Sequence, residues 1–407
     1  MKAATEEVEQ KDGIKTTKVT LDEAAIKENV DKMSATNQNK IIIPVLNNSD
    51  AVSALLNGQM LKNMKSKNVI IEIKTEKAIY TLPAADIKID DIANQFGDHV
   101  QSGEITISLK ISNPSKEVVN MVSKTADSKG YQLVVKPLDF EVNCNYGEKT
   151  IGVSKYQGYV ERAIALPAGV DPKKITTGVV VNSDGTFSHI PTKIIFIDGK
   201  HYAELNSHTN STYTVIWNPV TFKDVEKHWS KEYVNEVGSR LIDDGTGNGN
   251  FSPDRAITRA EFSTMIVKAL ALKTSGSIGQ FSDVPNNSPY YDYINAAYEY
   301  GILTGYTNGK FGPQDLITRE QAMTMLLKAA KLAGLDGTAK EKVINNQLKD
   351  FKDSSTISSY AVDAASKCVS YGFFKGEKGY LNPKRNFTRA ESAAVIIKLV
   401  RKAELIN

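Results

Sequence analysis

Ile257-Thr258-Arg259-Ala260-Glu261 is one of three near-copies in this chain; the others are Ile317-Thr318-Arg319-Glu320-Gln321 and Phe387-Thr388-Arg389-Ala390-Glu391. Thr followed three residues later by Glu or Gln is a capping box, in which side chains satisfy the orphan amides of a helix start. The arginine between them is not needed for capping, yet every copy has it. Each box follows a proline (Pro253, Pro313, Pro383) and precedes an apolar run. Repetition of this kind marks a repeat architecture, in which single units fold poorly alone.

Working outward, each box is the end of a longer unit. The openings are Phe222-Lys223-Asp224, Phe281-Ser282-Asp283 and Phe351-Lys352-Asp353, at a nearly constant distance before the arginine. A helical stretch follows each opening, then a turn containing Gly245, Gly305 or Gly376, then an apolar residue (Phe251, Phe311, Leu381). After the box, Phe262, Met265, Ile266, Ala269 and Leu270 share a register with Ala322, Met325, Leu326, Ala329 and Ala330. Ser392, Val395, Ile396, Leu399 and Val400 repeat it. That spacing is one buried helix face. Three such stripes predict an α-helical pseudo-threefold bundle with the connecting arms outside, its repeats at 220–276, 277–337 and 338–407.

Upstream the text changes character. Residues 1–16 are polar and predict a frayed end. From 17 to 135 helical and strand patterns alternate: helices at 21–33, 51–64 and 115–128, and strands at 41–45, 69–73, 78–82, 105–111 and 131–135. This predicts an α+β domain. Helical patterns are absent from 136–219, where runs at 140–146, 179–181, 194–197, 202–205 and 213–217 read as strands. Asp184-Gly185 and Asp198-Gly199 between such runs are hairpin signals, so a small all-β, sandwich-like domain is expected there. The chain as a whole predicts a multidomain protein.

Composition narrows the function classes. With 407 residues, 41% apolar and 24% charged, the chain is ordinary globular material. A net charge of +3 does not argue for nucleic acid as a partner. No run reaches transmembrane length, so membrane insertion is not expected. The acidic, polar start is no signal peptide and reads as the cut end of a longer protein, which leaves export open. Cys144 and Cys368 lie far apart and read as buried free thiols. The five histidines show no zinc-ligand spacing, and those at 189, 201 and 208 read as surface residues near hairpins. No nucleophile elbow, phosphate loop or dinucleotide fingerprint is present. The glycine turns lack a calcium-loop carboxylate pattern. Neither a catalytic centre, a metal nor a cofactor is expected, although paired carboxylates cannot be read from spacing alone.

The Phe-x-Asp openings, His228-Trp229, the glycine turns and three Thr-Arg boxes together resemble the S-layer homology family, over about residues 222–407. Tyr159-Val160-Glu161-Arg162 and the stretch from Asn210 to Trp217 resemble, more weakly, a segment found before such triplets in Bacillus-like surface proteins. The resemblance implies an extracellular anchor that binds secondary cell wall polysaccharide on Gram-positive cells, often a pyruvylated glycan, in grooves between repeats. It implies Arg259, Arg319 and Arg389 as groove arginines. Their planar forks suit the pyruvate carboxylate, and they would stand beside free helix-start amides. It also implies Asp224, Asp283 and Asp353, the turn glycines Gly245, Gly305 and Gly376, and Trp229 with its counterpart Tyr360 as ligand-binding. Bland readings stand beside these. The arginines suit inter-repeat ion pairs, the aspartates suit turns or helix N-caps, and Trp229 suits either core or groove. Lys268, Lys328 and Lys398 read as a solvated helix face. Repeat two has Pro289 in place of the aromatic and an altered box, and repeat one has Leu241 where the others have Gly301 and Gly372. Unequal grooves are therefore expected. Two alternatives remain open at this point: an exported carbohydrate-active enzyme with such an anchor, and an S-layer lattice subunit that meets other S-layer subunits.

Overall fold

The computed structural model describes residues 4–274, 279–335 and 348–407, and the chain divides into two units, Met1–Trp217 and Asn218–Asn407. Residues 1–3 and the expected repeat boundaries at 276/277 and 337/338 lie outside the described residues.

The N-terminal unit is β-rich. Its first half runs β1 (Ala4–Lys11), β2 (Ile14–Leu21), α1 (Glu23–Asp31), β3 (Asn39–Val45), β4 (Ala51–Asn57) and α2 (Gly58–Ser66). It continues with β5 (Val69–Thr75), β6 (Ala78–Pro83), α3 (Ile89–Phe96), β7 (Thr106–Ser112) and α4 (Lys116–Lys129). The second half is β8 (Gln132–Leu133), β9 (Leu138–Tyr146), β10 (Lys149–Gly152), β11 (Lys155–Ala165), β12 (Thr177–Val181), β13 (Phe187–Ile190), β14 (Thr192–Ile197), β15 (Lys200–Thr209) and β16 (Thr212–Trp217). One sheet has the order β1-β2-β4-β7-β9-β16-β12-β13, with β10 on β9 and β8 on β16. The other has the order β14-β15-β11-β6-β5-β3.

Both sheets mix strands from before and after residue 136, so the expected break between an α+β domain and an all-β domain is replaced by one interleaved unit. β4, β7 and β9 lie side by side in one sheet, and β6 pairs with β11 in the other. The expected frayed start also gives way: β1 and β2 form an antiparallel hairpin from Ala4↔Leu21 to Lys11↔Ile14. Asp12 and Gly13 close it with φ of 51° and 78°, the backbone of a tight two-residue turn. At 51–64 the expected single helix is a strand followed by a helix. Ala51–Asn57 carries Ala and Leu, but nearly every residue is buried, so the strand shows no alternation to read. The strand expected at 131–135 shrinks to two residues. Asp198-Gly199 joins β14 to β15 as expected, with φ of 48° and 78°.

Two stretches that stood out in the sequence meet inside this unit. Arg162 is fully buried, its guanidinium 5.0–5.8 Å from the rings of Tyr80, Phe140 and Tyr213. It donates to the Val160 carbonyl (2.7 Å), the Thr209 carbonyl (2.6 Å) and Asn210 Oδ1 (2.7 Å). Such a cation is held by carbonyl dipoles and ring faces. Both cysteines are buried and free, and burial pushes the Cys144 thiol up to about 11. His189 and His208 are buried rather than surface residues, because β13 and β15 turn them inward.

The C-terminal unit is helical: α5 (Lys231–Ser239), α6 (Arg259–Ala269), α7 (Tyr291–Glu299), α8 (Arg319–Leu332), α9 (Val362–Ser370) and α10 (Arg389–Lys402). The helix after each box packs on the short helix of the next repeat: α6 on α7, α8 on α9, and α10 back on α5. At the centre, the first residue of each box joins a ring of backbone bonds. The Ile257 amide donates to the Phe387 carbonyl (2.9 Å), Phe387 to Ile317 (2.9 Å) and Ile317 to Ile257 (3.2 Å). All three side chains are fully buried. The last repeat thus closes on the first. Lys268, Lys328 and Lys398 are half-buried rather than solvated. Lys398 donates to the Phe373 carbonyl (3.3 Å), and burial lowers the pKa of Lys328 and Lys398.

Candidate functional site

All three boxes fold as capping boxes. The amides of Glu261, Gln321 and Glu391 donate to the threonine hydroxyls, and each acid or amide side chain accepts from its threonine amide at 2.9–3.0 Å. The arginine between them reaches into the following repeat. Arg259 Nε donates to the Phe311 carbonyl (2.9 Å), Arg319 Nε to Leu381 (2.9 Å) and Arg389 Nε to Phe251 (2.8 Å). These arginines are 7%, 5% and 2% exposed. The helix-start amides expected to be free are taken. Those of Arg259, Arg319 and Arg389 donate to the carbonyls of Asp315, Arg385 and Arg255. A repeat's first turn is thus capped by its neighbour's backbone, which satisfies the orphan donors without a ligand.

The opening aspartates act on that same neighbouring turn from within its own repeat. Asp224 accepts from the amides of Phe251 and Ser252, Asp283 from Phe311 and Gly312, and Asp353 from Leu381 and Asn382, at 2.7–3.1 Å. They staple the exit of the glycine turn and cap no helix. The staple and the clamp share a peptide: Phe311 gives its amide to Asp283 and its carbonyl to Arg259. The turn glycines are packing positions. A Cβ on Gly245, Gly305 or Gly376 would come within 2.6 Å of the ring of Phe222, Phe281 or Phe351, the phenylalanine of each opening.

The three arginines differ in their counter-charges. Arg389 pairs with Asp243 (3.0 Å) and lies 3.6 Å from Glu261, which Arg255 also holds. Arg319 pairs with Glu391 (2.5 Å), which Arg385 shares (2.6 Å). Arg259 has no carboxylate at ion-pair distance among the described residues. The box position that supplies Glu261 and Glu391 is Gln321 in repeat two, and the place of Arg255 and Arg385 is taken by Asp315. Arg259 instead has the Thr304 carbonyl (3.3 Å) and the rings of Tyr306 (4.8 Å) and Phe311 (4.7 Å). Burial lowers the pKa of Arg259, against weaker opposing pulls from Tyr306, Asp315, Asp283 and Tyr360.

The aromatic positions are outside the core. Trp229 is 62% exposed, with its ring 5.5 Å from His228, which contacts Ser230 and Asp254. Tyr360 is 58% exposed, and its hydroxyl donates to Glu320 at 3.1 Å. Burial, then the charge of Glu320, pushes that hydroxyl up to about 12. Of the residues named in advance, each box arginine meets the next opening aspartate at one residue: Phe311 for Arg259 and Asp283, Leu381 for Arg319 and Asp353, and Phe251 for Arg389 and Asp224. The Arg259 cation weakly opposes the rise of the Tyr360 hydroxyl. Missed in the sequence were Asp243, Tyr306, Asp315, Ser358 and Lys384. They stand at positions where the three repeats carry different residues, and only three-dimensional closure brings them to the boxes. Among the described residues no group of three or more His, Cys, Asp or Glu could hold a metal ion, and no helix is long and apolar enough to cross a membrane.

Relatives share parts of the chain. An endoglucanase of Bacillus sp. strain KSM-635 is 38% identical over 187 residues, 46% of this chain and 19% of that protein. The surface-layer 125 kDa protein of Lysinibacillus sphaericus is 32% identical over 180 residues, 43% of this chain and 14% of its own length. An amylopullulanase of Thermoanaerobacterium thermosulfurigenes is 26% identical over 360 residues, 83% of this chain and 19% of its own length. The chain thus spans less than a fifth of these relatives. Residues 221–263, 280–323 and 350–393 match the S-layer homology domain, so the helical unit carries three such domains in tandem and the chain belongs at the bacterial cell surface.

Proposed function

We propose that the C-terminal unit is a pseudo-threefold anchor that holds the chain to the cell wall by binding an anionic polysaccharide between its repeats, a binding role and not a catalytic one. The proposed ligand is a secondary cell wall polysaccharide bearing ketal-linked pyruvate, whose fixed carboxylate suits a guanidinium fork. The observation that carries this reading is Arg259: a buried guanidinium set between two aromatic faces, with no protein carboxylate paired to it among the described residues. A ligand carboxylate there would supply the counter-charge that Asp243 and Glu391 supply to Arg389 and Arg319. Charge-assisted bonds of this kind contribute about 1.5–3 kcal/mol each. Exposed Trp229 and Tyr360 offer ring faces to sugars. Co-sedimentation with purified wall sacculi, before and after acid extraction of the polysaccharide, tests the reading. Binding should be lost on extraction and weakened at least tenfold by Arg259→Gln. Binding that survives extraction would sink it.

A second reading makes this chain an exported carbohydrate-active enzyme held by this anchor, with its N-terminal unit doing the chemistry. The names of the endoglucanase and amylopullulanase relatives favour it. Release of reducing sugar from wall or plant glycans by the full chain would establish it.

A further inference from the structure

Box two departs from boxes one and three at its fourth residue, where Glu320 stands in place of Ala260 and Ala390. That side chain is 3% exposed, yet it sits in no apolar pocket. Its carboxylate accepts from the Ser358 amide (3.0 Å), the Ser358 hydroxyl (2.9 Å), the Tyr360 hydroxyl (3.1 Å) and the Lys384 ammonium (2.6 Å). All four donors belong to repeat three. An amide, two hydroxyls and an ammonium converging on one carboxylate are the parts of a receptor for that group. Burial alone would raise the Glu320 carboxyl, but the bonds from Lys384, Ser358 and Tyr360 hold it below its ordinary value, so it is ionised at neutral pH. The receptor is open to solvent, since Tyr360 is 58% exposed and the Lys384 side chain 52%. Tyr360 also lies near enough to Arg259 to feel its charge, so the receptor borders the proposed anion site.

We infer that Ser358, Tyr360 and Lys384 form a carboxylate receptor for the acidic sugar, and that Glu320 is a tethered occupant blocking it until ligand displaces the side chain. This rests on the anchoring reading above and adds a built-in competitor to it. A tethered group acts at an effective concentration in the millimolar range or above, so a free carboxylate must outbid it. An ordinary inter-repeat ion pair predicts the opposite on removal: lost stability and no gained binding.

Calorimetric titration of the full chain with a methyl hexopyranoside carrying a 4,6-linked pyruvate ketal, and with its neutral methyl ester, separates the two. Glu320→Ala installs the residue that boxes one and three already carry, and a retained thermal transition confirms its fold. The expected result is one additional binding event per chain, or at least tenfold tighter binding, for the acid and not for the ester. Adding Lys384→Met to that variant should abolish the gain. The Ser358 amide proton should move upfield in Glu320→Ala and return downfield when the acid is added. If the parent binds the acid while Glu320→Ala matches it in stoichiometry and affinity, with the Ser358 amide unresponsive, the blocking role is overturned and the anchoring reading stands. If no form separates acid from ester, carboxylate recognition fails and this inference falls with it.

Discussion

Replacing Arg389 by alanine, beside Arg259→Ala, tests whether the box arginines hold the repeats together and whether they do so equally. Arg389 is 2% exposed, and its removal strips a partner from four groups: the Phe251 carbonyl (2.8 Å), the Asp243 carboxylate (3.0 Å), the Glu261 carboxylate (3.6 Å), which Arg255 still holds, and the face of the Phe251 ring (4.4 Å). Removing one member of a buried ion pair costs about 3–5 kcal/mol, because the other charge is stranded. Asp243 keeps one bond from the Gly245 amide (2.8 Å), which places the loss near the lower end, at about 3–4 kcal/mol. Arg259 strands no carboxylate, only two carbonyls at 2.9 and 3.3 Å and two ring faces, so its loss should be about 1–2 kcal/mol. Urea denaturation of the full chain can read the difference. Because Trp217 belongs to the N-terminal unit, a Trp217→Phe background leaves Trp229 as the only tryptophan reporter on the helical unit. Equal losses for the two variants, or a loss under about 1 kcal/mol for Arg389→Ala, would refute the clamp argument. Glycan binding should invert the ranking, with Arg259→Ala the more damaging substitution.

Gly305→Ala should lower the calorimetric Tm of the helical unit and cost about 2–3 kcal/mol, because the new Cβ would lie 2.4 Å from Phe281 Cε1 and 2.8 Å from the Lys310 carbonyl oxygen. Leu241→Gly should stabilise the same unit by about 0.5 kcal/mol. Leu241 sits at φ 62°, where its counterparts are Gly301 at 71° and Gly372 at 75°, and glycine removes most of that strain. Burial depresses the pKa of His208 to about 4, so the unfolded chain takes up the proton first as pH falls. Its contribution is therefore complete above about pH 6.5 and is lost towards pH 4, amounting to about 3 kcal/mol. The Tm of the N-terminal unit should fall more steeply between pH 7 and 4.5 in the parent chain than in His208→Gln.

What was legible in the sequence was mostly local. A capping box spans four residues and carries its own hydrogen-bond partners, so three of them fix three helix starts at Thr258, Thr318 and Thr388 before any tertiary contact is known. The Asp198-Gly199 hairpin is local in the same sense. The seam expected at 135/136 fails because strand pairing in this unit is long-range: β7 meets β9 across α4, and β6 meets β11 from Thr81↔Glu161 to Ala78↔Ile164. A drop in helical patterning says which elements follow, and nothing about which sheet receives them. The partners of the opening aspartates were out of sight for a similar reason. Asp224 and the amides it staples, at Phe251 and Ser252, are separated by a whole helix and turn. Only the repetition of the arrangement hinted that the aspartate mattered.

The altered second box changes the charges on both sides of one groove at once. Gln321 removes the acid that would pair Arg259, and Asp315 stands where the neighbouring turns carry arginines that hold such acids. In the same box Glu320 replaces an alanine and places a carboxylate against Ser358, Tyr360 and Lys384. Gln321 leaves Arg259 a buried cation with no carboxylate at ion-pair distance among the described residues, Asp315 and Asp283 acting only from farther off, at a cost in desolvation. Glu320 does not pair with Arg259, because its bonds go to repeat three, where Lys384 neutralises it. Arg259 therefore stays available, whereas the other two arginines are locked to Asp243 and Glu391. Restoring the acid of boxes one and three with Gln321→Glu alone should pair Arg259 internally. Such a chain should lose carboxylate binding at that groove while keeping or raising its thermal stability. A Gln321→Glu variant that binds the acidic sugar as well as the parent would show that internal pairing does not decide which groove is used.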